Sequence, residues 1–155
     1  MPSIALTAPA LEPLSLDEAK AYLRVATVDD DDLIAALIAG ARSHVEAQTH
    51  RALITQSWRI SRDAWPADGR IAVLPAPLQT LDAARVYDAG GVAHAIDTQA
   101  FVVDTVSAPA MLLFPPWSLA VPGRARAGIE LDVTVGYGAA GSAVPEPLRL
   151  AIRLL

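Results

Sequence analysis

Residues 28–49 read VDDDDLIAALIAGARSHVEAQT. Four consecutive aspartates, Asp29 to Asp32, run straight into an alanine-rich apolar segment. Their reading decides between a metal loop and the start of a helix. Neighbouring side chains on a helix point about 100° apart, so consecutive carboxylates do not converge on one ion. A calcium loop places its acids at alternate positions, with a central glycine and a late glutamate. That pattern is missing here. Acids before and within a first helical turn have a simpler role. One caps free N–H groups, and the others favour the positive end of the helix dipole. The stretch therefore predicts a helix from about Asp31 to about Thr49. Leu33, Ile34, Leu37, Ile38, Ala41 and Val45 form one apolar stripe on it. Ala36, Gly40, Ser43 and Ala47 form a second face of small residues. Gly40 costs that helix roughly 1 kcal/mol against alanine. Two readings of the small face stand. Either another helix or subunit approaches closely at Ala36, Gly40 and Ala47, or the face reflects the alanine richness of the whole chain.

Working outward, LSLDEAKAYLRV begins a helix at Ser15, where Ser15 and Glu18 spell the S-x-x-E capping box. Leu16, Ala19 and Leu23 fall on one face of it. After Arg51 the period changes. Trp58 and Ile60 alternate with Ser57, Arg59 and Ser61, which reads as a strand. RIAVLPAPLQTL reads as a short strand broken by Pro75 and Pro77, so it lies at an edge or ends there. ARVYDAGGVAHAI reads as a hairpin with Asp88, Gly90 and Gly91 in its turn. AFVV and AMLLF are two more short strands. GIELDVTV alternates most cleanly, with Ile129, Leu131, Val133 and Val135 on one side, and it predicts an antiparallel strand with one wet face. PEPLRLAIRLL is a last helix, with Pro145 and Pro147 in its first turn and Leu148, Ala151, Ile152 and Leu155 in a stripe. The order of elements is that of an α+β fold. An N-terminal helix pair and a C-terminal helix form a small bundle, over about 15–51 and 145–155. An antiparallel module of short strands is inserted over about 54–137. One domain spans 1–155.

Composition excludes several classes. At 53% hydrophobic and 19% charged, the chain is too apolar for disorder. A net charge of −5 with no basic run argues against wrapping nucleic acid. There is no cysteine, hence no disulfide and no thiolate metal site. The longest apolar run, Leu33 to Ala41, falls short of the about 20 residues a bilayer requires. The N-terminus lacks the pattern of a signal peptide. A cytoplasmic protein without a membrane partner is the expectation.

The motifs offer little chemistry. GYGAAG, Gly136 to Gly141, matches G-x-G-x-x-G after a strand. A dinucleotide site, however, needs the last glycine inside a helix and an acid about 20 residues on. Pro145 and Pro147 delay the helix, so the glycines read as a strand-to-helix turn. His44, His50 and His94 are scattered, and no G-x-S-x-G or H-E-x-x-H is present. No catalytic, cofactor-binding or metal-binding residue is expected. Arg124 and Arg126 sit in a Gly-flanked loop, VPGRARAG. They are either solvated or in contact with phosphate or an acidic partner surface. The terminal helix carries Arg149 and Arg153 on one side and crowds Leu150, Leu154 and Leu155 on the rest, and an apolar helix without a cap is expected to be either truncated or docked on something.

LSLDEAKAYLRV, an acid-rich gap, DLIAALIAGARSHVEAQTHRALITQSW and VTVGYGAAGSAVPEPLRLAIRLL together resemble the head–tail connector (adaptor) proteins of tailed phages and of gene transfer agents. The likeness covers roughly residues 14–60 and 129–155. The middle matches only in its texture of strands and prolines. The chain has His50 where many of those proteins carry glycine, and they tend to continue past the final helix. The resemblance implies a structural, non-enzymatic subunit of a virion or gene-transfer particle at the head–tail junction. It implies a ring of this chain, a dodecamer, beneath the portal protein. The ring would bridge the portal to a downstream stopper or tail protein, with DNA passing through unread. On that reading Leu150, Arg153 and Leu154 are expected at the portal contact, Ala36, Gly40 and Ala47 between subunits, and Arg124 and Arg126 in a loop contact. The rival readings are another virion completion protein, a stopper or tail terminator, and a small cytoplasmic enzyme.

Overall fold

A computed structural model describes residues 3–155. The chain divides into two compact units. One comprises residues 3–8 together with Gln56–Val135, and the other Pro9–Thr55 together with Gly136–Leu155.

The second unit is helical. Its elements are α1 (Leu16–Leu23), α2 (Asp31–Thr49) and α3 (Glu146–Leu154), with α1 and α3 both packed against α2. The start of α1 is the capping box read from the sequence. Ser15 N–H donates to Glu18 Oε2 at 2.9 Å, and Glu18 N–H donates to Ser15 Oγ at 3.2 Å. Both helices end on a left-handed residue, Arg24 at φ 58° and His50 at φ 52°. His50 N–H donates back to Glu46 O. Glycine adopts that conformation without a Cβ penalty. The core gathers Ala19 of α1, Ile34, Ile38 and Val45 of α2, and Ile152 of α3 around Leu14, Leu53, Ile54 and Val144. Gly136, at φ 120°, lies so close to the Ile54–Thr55 backbone that an added Cβ would fall 2.6 Å from Ile54 C. Only glycine passes there.

The first unit is antiparallel throughout. Its strands are β1 (Ser3–Ala5), β2 (Gln56–Arg62), β3 (Arg70–Ala72), β4 (Leu78–Tyr87), β5 (Ala93–Ile96), β6 (Val102–Asp104), β7 (Met111–Leu113) and β8 (Ile129–Val135). Five form a sheet in the order β1-β2-β8-β4-β5, and three form a second sheet in the order β3-β7-β6. β8 is central, and its Ile129, Leu131, Val133 and Val135 are fully buried. The α+β class and the inserted strand module agree with the sequence.

Four expectations need correction. The apolar stripe of α2 is narrower than the pattern predicts. Ile34, Ile38 and Val45 are buried, whereas Leu33 and Leu37 are exposed, because α1 and α3 cover only part of the helix. Asp30 occupies the N-cap of α2 but its side chain makes no capping bond, and Asp31 pairs instead with Lys20. LQTL and ARVY are not separate strands. They belong to β4, whose register shifts between Leu78 and Thr80 and between Leu81 and Ala83. Such bulges break the alternation on which strand boundaries are read. Finally, the polar side of β8 is not a plain wet face. Asp132 is only 9% exposed, and arginines from both neighbouring strands cover it.

Candidate interaction surfaces

The covering arginines are set by register. Arg59 of β2 stands opposite Asp132 of β8, and Arg85 of β4 stands opposite Glu130, one pleat along on the same face. Arg59 Nε donates to Asp132 Oδ1 at 2.7 Å and Nη2 to Oδ2 at 2.9 Å. Arg85 Nη1 donates to the same Oδ2 at 2.7 Å. Tyr87 Oη donates to Glu130 Oε2 at 2.8 Å, and the Arg124 guanidinium lies 4.7 Å from the centre of the Tyr87 ring. The hydrogen bond from Arg59 holds the Asp132 carboxyl below its ordinary range against the opposing effect of burial, and Arg85 adds to the lowering. The hydrogen bond to Glu130 pushes the Tyr87 phenol up. The result is a charge-balanced face of two arginines and two acids. Sequence reading misses it. The signal was present as opposite charges at the polar positions of three strands, but the strand order that brings them together was not.

On α3, Arg149 is an anchor. It donates to Glu18 Oε1 at 2.5 Å, to Glu146 Oε2 at 3.1 Å and to the carbonyl of Pro13 at 3.1 Å. Arg153 donates to Glu146 Oε1 at 2.6 Å. Leu150 and Leu154, one turn apart, are exposed at 44% and 69%. Of the three residues expected to share one contact, the two leucines therefore stand free, while Arg153 is engaged within its own helix. Arg153 and Leu155 also border a small apolar groove of about 110 Å³ with Tyr22, Leu23 and Leu37.

Ala36, Gly40 and Ala47 all lie on the exposed side of α2. An added Cβ at Gly40 would meet nothing within 4 Å. In the strand unit, Arg124 and Arg126 are exposed, with Arg124 steered by Tyr87. A second feature there escaped the sequence. Trp65, Phe101 and Phe114 pack ring against ring at 5.3 to 6.0 Å. Beside them a pocket of about 340 Å³ is bordered by Leu119, Val121 and Trp117. Trp117 is 89% exposed at φ 66°. Among the described residues, no group of three or more His, Asp or Glu is placed to hold a metal ion. No described helix is long and apolar enough to cross a membrane.

Residues 13–79 match the family described as Phage gp6-like head-tail connector protein. The chain is similar to the head–tail connectors. Its whole length aligns with a chain from the neck of an empty gene transfer agent particle computed with C6 symmetry, at 28% identity, TM-score 0.82 and 81% of that chain. It aligns equally with a chain from the virion of a native gene transfer agent particle, at 29%, 0.82 and 81%. A chain from the neck of the native particle computed with C12 symmetry gives 28%, 0.82 and 80%. No curated protein matches the sequence. These connectors and neck chains are structural parts of a particle, and the likeness supports a structural connector role, not an enzymatic one.

Proposed function

We propose that this chain is a neck subunit that forms a ring at the head–tail junction, beneath the portal, and joins the capsid to the tail. The observation that carries the reading is the alignment of the entire chain, at TM-score 0.82, with chains from gene transfer agent necks. Their sixfold and twelvefold symmetries support a ring of repeated copies. A closed ring needs a heterologous contact, with one patch of each copy meeting a different patch of the next. The open side of α2 around Ala36, Gly40 and Ala47 serves as one such patch. Leu150 and Leu154, with Arg153 beside them, dock on the portal. The loop bearing Arg124 and Arg126 faces the downstream stopper or tail protein. DNA passes through the ring unread, and the net charge of −5 keeps phosphates from lodging on its wall.

Electron microscopy of particles made without this chain tests the reading. DNA-filled heads without tails are expected. Tailed particles of normal appearance would overturn it. The matched segment contains the N-terminal helix pair, which favours a connector over a stopper or tail terminator.

A further inference from the structure

The five-stranded sheet has two open edges, β1 and β5, and their exposed backbone groups are complementary. Hydrogen-bonded and non-bonded pairs alternate along an antiparallel ladder. On the β1 side, Leu6 N–H donates to Ser57 O, so with the register of Ala5 on Trp58 Ile4 is bonded inward. Ser3 and Ala5 then turn their N–H and C=O groups outward. On the β5 side, Asp88 N–H donates to Val92 O, so with the register of Val86 on His94 Ala93 and Ala95 turn theirs outward. Ser3, Ile4 and Ala5 are exposed, as are Ala93, His94 and Ala95.

Sheets commonly protect such edges with charge or proline, and the second sheet of this unit does so. Its edge strand β3 begins at Arg70, and its other edge, β6, ends at Asp104. β1 and β5 carry no Lys, Arg, Asp, Glu or Pro. The His94 ring is tied back to Asp88 at 3.0 Å.

We propose that β1 of one copy pairs with β5 of the next, so that the sheet continues from subunit to subunit. This rests on the ring reading above and names the contact that closes it. Successive antiparallel pairings give β1 and β5 the same direction, so a head-to-tail repeat joins them in parallel. The parity of the two edges fits that pairing. With Ala95 opposite Ile4, Ala95 N–H donates to Ser3 O, Ala5 N–H donates to Ala95 O, and Ser3 N–H donates to Ala93 O. Ile4, opposite Arg59, and Ala95, opposite Arg85, lie on the same face of the sheet, so their side chains meet. Three such bonds are too few to hold two free copies together. In a closing ring each one forms at the high effective concentration set by the other contacts.

The absence of cysteine gives a direct test. One chain carrying both Ile4→Cys and Ala95→Cys is produced in particles, oxidised and run under denaturing conditions. Within a single sheet the two sites are about 19 Å apart, four strand spacings, beyond the reach of a disulfide. A ladder of covalent multimers is expected, with each single-cysteine chain giving dimers at most. Monomer and dimer alone, from necks that contain the double variant in normal amount, would overturn the edge pairing. Native mass spectrometry of those necks separates the two ideas. A ring without a ladder removes this contact and keeps the ring, whereas no ring removes the reading on which it rests.

Discussion

Arg59 and Asp132 meet side by side across β2 and β8, with two nitrogens of the guanidinium on two oxygens of the carboxylate at 2.7 and 2.9 Å. A bidentate pair fixes orientation as well as distance. Here it joins two strands whose opposite faces carry the core. Asp132 also accepts from Arg85, so one carboxylate ties β8 to both of its neighbours. Replacing it with alanine leaves two guanidiniums facing each other over an empty site. Asp132→Ala is expected to lower the unfolding free energy by about 2–3 kcal/mol. That is less than the full cost of breaking a buried pair, because both arginines still reach water. Urea unfolding followed by circular dichroism checks this, and an unchanged midpoint would mean the face contributes nothing to stability.

The same carboxylate sets an acid limit. The folded state holds the Asp132 carboxyl below its ordinary range, first through Arg59, and the Glu18 carboxyl is lowered by the Ser15 backbone and by Arg149. A group whose folded value is depressed contributes stability above the unfolded value, about 4 for these acids. That contribution is lost as pH falls through the folded value. Stability should therefore be flat from pH 7 to about 5 and drop steeply below about 4. In Asp132→Asn the drop should be shallower. Melting temperatures recorded from pH 7 to 3 for both chains test the sign. Equal slopes would remove Asp132 as a source of the acid sensitivity.

Much of the fold was legible because its signals are local. The capping box at Ser15 and Glu18, the clean alternation of residues 129–135, and the turn residues Asp88, Gly90 and Gly91 each depend on a few neighbours in sequence. What escaped depends on distant partners. Leu33 and Leu37 share the period of Ile34 and Ile38, and only the placement of α1 and α3 decides which of them is buried. Asp132 reads as a solvated position until the strand order puts Arg59 and Arg85 on either side. The Trp65, Phe101 and Phe114 cluster joins residues almost 50 positions apart, with no periodicity to announce it. The interaction surfaces are the least legible part, since an exposed leucine is marked only by what fails to cover it.

His50 ends α2 in the left-handed region at φ 52°, where a Cβ is unfavourable. His50→Gly removes that penalty and gives up unfolded-state restriction in exchange. The net gain is expected to be about 1 kcal/mol, seen as a rise of about 2–4 °C in Tm for a chain of this size. A fall in Tm would mean that the imidazole makes a stabilising contact at the helix end that outweighs the strain.

Gly40 separates monomer stability from assembly. Its helix position is open to solvent, so Gly40→Ala should stabilise the isolated chain by roughly 1 kcal/mol through helix propensity alone. Gly40→Phe should fold as well as the native chain, because the position is exposed and an added Cβ meets nothing within 4 Å. If α2 lies between subunits, the phenylalanine variant still denatures at or above the native temperature yet fails to enter necks. Normal incorporation of the phenylalanine chain would place the subunit contact away from this face.

Leu150 and Leu154 test the docking surface on α3. Both are exposed, while Arg149 and Ile152 hold the helix to its unit through Glu18, Pro13 O and the core. Replacing both leucines by aspartate therefore leaves the helix anchors in place. Two negative charges near a helix C-terminus are unfavourable by about 0.3–1 kcal/mol each, so the Tm should fall by no more than about 8 °C. A docking surface is far less tolerant, since two carboxylates would be taken from water into an apolar contact. The purified double variant should be folded and monodisperse, and particles made with it should be tailless heads that lack this chain. Tailed particles carrying the variant would remove α3 from the portal contact, and the groove bordered by Tyr22, Leu37 and Leu155 would become the next surface to substitute.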